Sequence, residues 1–389
     1  MAPKTEILFL GATGYLGAGI FTRLLNHPKA SEFSITTLVR STEKGEALKK
    51  FNPTLKYAVG SLYDKADYPV IEDLGKKADV VFSVADADYL PWTTALLKGL
   101  KARFDATGVA PILIHAVSLL RAYLTRRMLN VFSKSGAGIL LFTSDPAGNH
   151  SDLDLEDVKA VPPTALHRNV DLAAIAADEA GYVKTYLICP PLIAGLASGP
   201  LYDAGLAHRN SIQAPALMRP ALDRKQAGVV GDGKGVWAAV HVDDVADTFV
   251  LLFDKIISGA PGVGHGWEGY YYLENGELSW NDIASAIGQT LVELDVAKSP
   301  EVTSFSKDEI SKYFKSEFAS SVVSSTCRCK GERARALGWS PKYSVADILA
   351  GLKTEVEFLW KKAQAEGKVD ITPNYGVDAM LQRFASLSA

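Results

Sequence analysis

The chain of 389 residues is poor in cysteine and carries only a small excess of acidic over basic residues. Its three cysteines, Cys189, Cys327 and Cys329, are too few for a disulfide framework, so we expect a reducing, cytoplasmic location. The net charge of −3 gives no bulk attraction to nucleic acid, which is not expected as a partner. Cys327 and Cys329 lack a second cysteine pair or a nearby histidine, so no metal site is predicted.

Long apolar runs are missing as well. No run approaches the roughly 20 residues that a membrane-spanning helix needs, so no membrane span is predicted. Residues 1–6 lead directly into a predicted strand, which leaves no room for a signal peptide. What remains is the composition of an ordinary globular enzyme, with 48% hydrophobic and 22% charged residues.

The most informative stretch is residues 7–17, where an apolar run ends in three glycines spaced G-x-x-G-x-x-G and a helical pattern follows. Strand, glycine turn and helix in this order are typical of a dinucleotide-binding site. Gly11 allows the tight turn, Gly14 lets the backbone approach a pyrophosphate, and Gly17 lets the helix pack close to the strand. The predicted cofactor contacts in this stretch are Gly11, Thr13, Gly14, Tyr15, Leu16 and Gly17.

The predicted second strand, residues 34–40, ends in Arg40 and not in an acidic residue. An acid at this position binds the ribose 2′-hydroxyl of NAD, whereas an arginine accommodates the 2′-phosphate of NADP. We therefore expect NADP(H) as the cofactor rather than NAD(H). The alternative is that Arg40 is simply a solvated surface residue.

Strands and helices then alternate along the chain, with further predicted strands at residues 55–60, 79–85 and 112–116. This alternation predicts an α/β fold, a Rossmann-type doubly wound parallel sheet with a smaller C-terminal α/β substrate lobe. The expected boundaries are residues 1–191 for the cofactor domain and 192–389 for the substrate lobe, with 236–275 returning to the Rossmann sheet. Leu62 follows the strand at 55–60, Ala85 ends the strand at 79–85, and Pro190 follows a further predicted strand at 182–188. These three residues complete the predicted cofactor contacts.

Residues 117–134 interrupt this rhythm with a basic amphipathic helical pattern that contains no acid. We interpret the segment as an insert, either a surface helix or sequence retained from an intron; a membrane or partner surface is the alternative. A second apolar run, residues 138–144, follows the insert. Two runs, 112–116 and 138–144, therefore compete for the place after the fourth strand.

Together these motifs resemble the extended, atypical short-chain dehydrogenase/reductases, in the epimerase/dehydratase and NmrA-like branch. More narrowly, the chain is similar to fungal NAD(P)-binding proteins with a His-Arg-Asn-Val-Asp helix. The motifs that carry the resemblance lie at residues 11–17, 38–40, 60–64, 167–171, 189–195, 241–247 and 337–341. The resemblance implies a Rossmann domain, a smaller C-terminal lobe, and a site between them.

The chain departs from that family at the catalytic pair. Reductases and epimerases of the family use a tyrosine followed four residues later by a lysine, and no tyrosine here has a lysine at that spacing. The resemblance places His167 near the tyrosine position and Asp171 near the lysine position. Because residues i and i+4 share a helix face, we predict a proton-transfer pair of these two residues. The alternative is that His167 only caps or anchors the helix.

The family also carries a serine that faces the nicotinamide, shortly after the central strand. If 112–115 is the central strand and 117–134 is an insertion, this serine is Ser135. If instead 138–144 is the central strand, the candidate is Ser144. The two assignments remain open on the sequence alone.

The function that we expect is an NADP(H)-dependent oxidoreductase acting on a carbonyl or an activated double bond of a small organic molecule. Two alternative functions are also compatible with the missing tyrosine and lysine pair. One is a non-catalytic NmrA-like regulator that binds NADP, and the other is a non-redox isomerase or epimerase on the same scaffold.

Overall fold

The computed structural model describes residues 3–117, 149–163, 165, 167–315 and 317–372. A seven-stranded parallel sheet organises the chain, and its strand order is β11-β7-β5-β4-β1-β2-β3. The strands are β1 (Thr5–Leu10), β2 (Phe33–Val39), β3 (Lys56–Val59), β4 (Val80–Ser83), β5 (Ile112–Ala116), β7 (Lys184–Cys189) and β11 (Tyr270–Tyr272). The order reverses between β1 and β4, and ligands of doubly wound sheets bind at the carboxyl ends of strands at such a point.

Smaller sheets and a helical layer form the C-terminal part of the described chain. One sheet joins β12 (Glu277–Ser279), β10 (Val236–His241) and β8 (Leu192–Ala194); two further pairs join β13 (Thr303–Ser304) to β9 (Gly228–Val229) and β14 (Cys329–Lys330) to β6 (His150–Ser151). The predicted Rossmann-type sheet with a smaller C-terminal α/β lobe is confirmed.

Fourteen helices of the described residues surround these sheets. The first seven are α1 (Tyr15–Leu25), α2 (Thr42–Lys49), α3 (Tyr68–Lys77), α4 (Leu90–Thr107), α5 (Leu155–Lys159), α6 (Arg168–Glu179) and α7 (Pro200–Asp203). The remaining seven are α8 (Pro215–Arg224), α9 (Val242–Ile257), α10 (Trp280–Glu293), α11 (Lys307–Phe314), α12 (Glu317–Val322), α13 (Arg333–Ala336) and α14 (Val345–Glu366). Helices α8, α10 and α14 pack on one another in the C-terminal lobe.

Strand β1 shows why the main sheet is buried on both faces. Its side chains alternate, so Ile7 and Phe9 pack in the core with α1 and α9, whereas Leu8 and Leu10 pack with α3 and α4. Parallel strands covered by helices on both sides are expected to be apolar throughout. The alternation therefore fixes which helices lie on which face.

The segment 236–275 follows the prediction only in part. Tyr270–Tyr272 does return to the seven-stranded sheet, beside β7, but β10 pairs with β8 and β12 in the separate three-stranded sheet. Between them, α9 packs on α1, where Arg23 forms ion pairs with Asp243 (3.0 Å) and Asp247 (2.7 Å). Strand β10 thus belongs to the lobe, and α9 belongs to the cofactor domain.

The structure settles which run follows the fourth strand. Strand β5 lies between β4 and β7, with Phe82 opposite Ile114 and Ile114 opposite Tyr186. The central position is therefore filled by Ile112–Ala116, and the competing assignment of 138–144 to it is wrong. Ser135, Ser144, residues 138–144 and the insert beyond Val117 lie outside the described residues.

Candidate cofactor cleft and buried histidine cluster

The glycine turn after β1 has the geometry that its spacing predicts. Gly11 has a φ of +96°, and a Cβ there would lie 2.5 Å from the Val84 carbonyl oxygen. A Cβ on Gly17 would collide with the Gly11 carbonyl, so only glycine lets α1 approach the turn this closely. The Gly14 N–H donates to the Gly11 carbonyl oxygen at 2.9 Å and closes the turn.

The N-terminus of α1 is left open toward the carboxyl edge of the sheet. Gly14 is the N-cap and offers no side-chain acceptor, and the first turn contains no acidic residue. Such an end has unsatisfied N–H groups and a favourable dipole for a pyrophosphate. The turn therefore fits a dinucleotide without rearrangement of its backbone.

Tyr15 ties this helix to the C-terminal lobe. Its hydroxyl donates to the Gly195 carbonyl oxygen at 2.6 Å, and the Tyr202 hydroxyl donates to the Tyr15 carbonyl oxygen at 2.6 Å. Gly195 in turn donates its N–H to the buried Glu355 carboxylate at 2.8 Å. Burial raises the pKa of the Tyr15 hydroxyl well above its usual value. The Tyr15 side chain is thus a tether between the two lobes.

One cleft runs along the glycine turn and the ends of β2, β3 and β4. Six predicted cofactor residues line it, namely Gly11, Thr13, Gly14, Arg40, Leu62 and Ala85. The cleft is also lined by Leu10, Ala12, Leu38, Val39, Lys44, Gly60, Tyr63, Val84 and His208. The other four predicted residues do not line it: Tyr15 forms the tether, Leu16 and Gly17 are buried in α1, and Pro190 is buried after β7.

The end of the cleft near β2 is basic. Arg40 is exposed and Lys44 is half-buried one turn into α2, whose N-cap Ser41 accepts the Lys44 N–H. His208 comes from the C-terminal lobe. Among the described residues, neither Arg40 nor Lys44 has a carboxylate partner within ion-pair distance. Lys44 could have been found from its spacing to Arg40, whereas nothing near His208 in the sequence points to the cleft.

A buried cluster of acids and histidines adjoins the other end of the cleft. The cleft residue Tyr63 donates its hydroxyl to Asp86 at 2.7 Å, and Asp86 accepts the Asp88 N–H at 2.7 Å. Asp88 then lies 2.5 Å from Nδ1 of His167. His167 is 7% exposed, and its Nε2 has no hydrogen-bond partner in the described part of the chain. Nδ1 of His167 therefore has an ion-pair contact with Asp88, whereas Nε2 is a buried nitrogen without a hydrogen-bond partner among the described residues. An imidazole can carry a proton between such positions.

The charges around His167 favour its protonated form. Burial by itself lowers the pKa of His167, but the carboxylates of Asp88, Asp171 and Asp86 outweigh burial, so the pKa is raised above its usual value. His115 in β5 behaves oppositely. Burial and the neighbouring His167 lower the pKa of His115 to about 4. The cluster thus contains one histidine biased toward the cation and one that stays neutral.

His115 was not predicted as a site residue. Its Nδ1 lies 2.8 Å from the Ser83 hydroxyl at the end of β4, and its Nε2 has no hydrogen-bond partner among the described residues. It is 2% exposed. The only sequence signal for it is a histidine at the end of an apolar strand, which is ambiguous because a packed core histidine gives the same pattern.

Among the described residues, no hydrogen bond or ion pair joins the Asp171 carboxylate to the His167 imidazole, whose Nδ1 faces Asp88. The Asp171 charge nevertheless raises the pKa of His167, and the proton-transfer pair of these two residues stays a prediction. Helix α6 begins at Arg168, and His167 is its N-cap with a φ of +65°, so the i,i+4 relation of two helical side chains does not hold. Asp171 instead donates its backbone N–H to the His167 carbonyl oxygen at 3.0 Å. Its carboxylate accepts from the Tyr270 hydroxyl at 3.5 Å, and burial raises its pKa to about 7.

Neither a metal-ligand cluster nor a membrane-spanning helix is present among the described residues. The described residues contain no group of three or more histidine, cysteine or carboxylate side chains arranged to hold a metal ion. No helix within the described ranges is both long enough and apolar enough to cross a membrane.

Comparison with known proteins finds a family profile that is similar to the N-terminal part of the chain. Residues 3–98, which carry the glycine turn, Arg40 and the end of β4, match the sequence profile of the NmrA-like family. A relative over almost the whole length is the oxidase ucsJ of an Acremonium species, 28% identical over 355 residues, covering 86% of this chain and 92% of the relative.

Solved structures agree on the fold. UDP-glucose 4-epimerase from Thermotoga maritima is 14% identical with a TM-score of 0.58, over 92% of this chain and 99% of that one. Yeast methylglyoxal/isovaleraldehyde reductase complexed with NADPH is 13% identical with a TM-score of 0.53, over 92% and 100%. At such identities the likeness shows the fold alone. That fold is a Rossmann-type parallel sheet with a smaller C-terminal lobe, as the resemblance implies.

Proposed function

We propose that the protein is an NADP(H)-dependent oxidoreductase that acts on a carbonyl or an activated double bond of a small organic molecule. The observation that carries the proposal is the buried pair of His167 and Asp88 at the carboxyl edge of the sheet, adjoining the nucleotide cleft through Asp86. The relative named as an oxidase and the structural neighbour named as an NADPH-bound reductase support the same class of reaction.

Residues of the cleft hold the cofactor in this proposal. The turn from Gly11 to Gly14 and the open end of α1 receive the pyrophosphate, while Arg40 and Lys44 receive the 2′-phosphate. When bound, the nicotinamide exchanges a hydride with the substrate carbon. Selectivity for NADP(H) follows from the lack of an acid at the end of β2 and from two cations without carboxylate partners among the described residues.

His167 takes the place of the missing tyrosine and lysine pair. Its Nε2 donates a proton to the substrate oxygen during reduction and removes it in the reverse direction. Asp88 at Nδ1 fixes the ring orientation and stabilises the imidazolium. A raised pKa of His167 suits a proton donor that must be charged near neutral pH.

His115 supplies a second polar contact in this arrangement. The Ser83 hydroxyl donates to Nδ1 of His115, which leaves the proton on Nε2. A neutral imidazole with a buried N–H can hydrogen-bond the substrate oxygen without competing for the proton of His167. It thereby serves the purpose for which the sequence suggested Ser135 or Ser144.

The test is the variant His167→Asn, compared with His265→Asn as the matched control, because His265 is exposed and pairs with Asp178 away from the cleft. NADPH binding is measured by calorimetry, and NADPH consumption is followed over a panel of ketones, aldehydes and enones. We expect unchanged binding and a loss of turnover of about 10²- to 10⁴-fold in His167→Asn alone.

Two results would contradict the proposal. NADPH binding with no turnover of any substrate, and with affinity for a protein partner, indicates the regulator. Product formation without net change of the cofactor indicates the isomerase or epimerase.

A further inference from the structure

His208 is brought to the cofactor cleft by a loop of the C-terminal lobe. It lines the same cleft as Arg40, Lys44 and Tyr63, although 145 residues separate it from Tyr63, the nearest of them in sequence. The loop is anchored at both sides. Ala197 donates its N–H to the Arg209 carbonyl oxygen at 2.9 Å, and Arg209 forms an ion pair with Asp203 of α7 at 2.5 Å.

Helix α7 fixes this loop against the cofactor domain. Tyr202 of α7 donates its hydroxyl to the backbone of Tyr15 in α1 at 2.6 Å, so the loop and the glycine turn share one rigid support. The backbone that carries His208 is therefore held beside the basic end of the cleft, and the His208 side chain is exposed there. A preorganised loop loses little conformational entropy when it contacts a ligand.

The charges that act on His208 are of one sign. Lys44 from α2, Arg40 after β2 and Lys362 from α14 all lie close enough to affect its protonation. Tyr63 is the other titratable group of this part of the cleft, and on the histidine's own loop the Arg209 charge is matched by Asp203. Among the described residues, Lys362 has Glu366 at 3.8 Å as its only ion-pair partner. Three elements thus direct cations toward one place that an anion would stabilise.

We propose that His208 is a specificity residue contributed by the C-terminal lobe, which joins Arg40 and Lys44 in binding the 2′-phosphate of the adenosine ribose. The inference rests on the proposed use of NADP(H). It adds that the 2′-phosphate, which NADP(H) carries and NAD(H) lacks, contacts side chains of both lobes.

A proton accompanies the phosphate in this arrangement. Burial, together with Lys44, Arg40 and Lys362, lowers the pKa of His208 in the free protein, so the imidazole is mostly neutral near pH 7. A phosphate dianion beside the ring raises that pKa again. Binding of the 2′-phosphate is then coupled to proton uptake and becomes weaker as pH rises, above the second phosphate pKa of about 6.

The experiment uses adenosine 2′,5′-bisphosphate and AMP, which differ only in the 2′-phosphate and need no turnover. Calorimetry with the full chain at about pH 7, in two buffers of different ionisation enthalpy, gives both affinity and proton uptake. We expect His208→Gln to weaken the bisphosphate about three- to tenfold and to lose its excess proton uptake, while AMP binding is unchanged. His265→Gln serves as the control and should match the wild type in every respect.

Each other outcome overturns the inference. If His208→Gln keeps the wild-type ratio of bisphosphate to AMP affinity, or the wild type shows no preference or no binding, His208 does not contact a 2′-phosphate. The proposed function fails separately. An intact His208 effect without any substrate turnover removes the oxidoreductase and leaves the site. Turnover with NADPH, together with an unchanged bisphosphate preference in His208→Gln, removes the role of His208 and leaves the oxidoreductase.

Discussion

The two ends of the nucleotide cleft carry opposite charge. Near β2, Arg40, Lys44 and His208 converge, and no carboxylate among the described residues lines the cleft beside them. Past the end of β4, the acids Asp86, Asp88 and Asp171 act on the buried His167. The basic end is suited to holding a phosphate, and the acidic end raises the pKa of a histidine. The proposed phosphate contact and the proposed proton transfer therefore lie at opposite ends of one sheet edge.

The two ends also differ in how the chain builds them. The basic end and its glycine turn come mainly from residues 10–63, close together in sequence, with His208 as the exception. The acidic end joins the loop after β4 to the N-cap of α6, 79 residues later. Local sequence therefore specifies the binding end, and tertiary packing specifies the reactive end.

The largest loss of turnover is expected from a substitution at the acidic end of the cleft. Asp88→Asn removes the carboxylate charge that lies beside Nδ1 of His167. The pKa of His167 therefore falls, and the imidazolium loses its proton at lower pH. We expect turnover at pH 7 to fall roughly 10- to 100-fold and the alkaline limb of the rate profile to move to lower pH. Steady-state kinetics between about pH 5 and 9 measure both; a profile that does not move would exclude Asp88 as the partner.

The substitution Arg40→Asp reverses a charge at the basic end of the cleft. An acid at this position repels the 2′-phosphate and can accept the ribose 2′-hydroxyl, so NADPH affinity should fall about 10- to 100-fold while NADH affinity holds or improves. Calorimetric titration with both cofactors checks this. Lys56→Asp, on the strand β3 but outside the cleft, is the matched charge control. Equal losses of NADPH affinity in the two variants would contradict the assignment.

The smallest change in turnover is expected for Asp171, which also lies at the acidic end. Asp171 has a folded-state pKa of about 7, above its unfolded value of about 3.9. The folded protein therefore retains a proton that the unfolded chain has lost, and the free energy of unfolding falls as pH rises from about 4 to about 7. Asp171→Asn should flatten this pH dependence and change turnover only a few-fold.

Thermal unfolding at about pH 5 and pH 8 measures the stability part of that prediction. The wild type should lose more stability than Asp171→Asn between the two values. A larger loss of turnover in Asp171→Asn than in Asp88→Asn would make Asp171, rather than Asp88, the partner of His167.

The sequence predicted the fold, and six of its predicted cofactor residues line one cleft, for physical reasons. Gly11 has a φ of +96° and Gly17 packs against a carbonyl group, so both positions require glycine and their spacing is recognisable in the sequence. Strands that are buried on both faces, such as β4, appear in the sequence as apolar runs. The return of 236–275 was only half predicted, because β10 is as apolar as a strand of the main sheet and only pairing decides its place.

The reactive end was predicted incompletely. His167 was chosen, but the pairing with Asp171 assumed that both side chains stood on one helix, and α6 starts one residue too late for that. Asp88, His115 and His208 come from separate elements, and nothing in their own neighbourhoods marks them. A single amino-acid sequence does not show which residues far apart along the chain come into contact.

The measurement that tests the account most directly is an NMR titration of the histidine side chains in the wild type, His167→Gln and Asp88→Asn. The account predicts that the resonance missing from His167→Gln titrates above the usual value of about 6.5 in the wild type and moves down in Asp88→Asn. A wild-type His167 that titrates at or below that value, and does not respond to Asp88→Asn, would contradict a proton donor poised by Asp88.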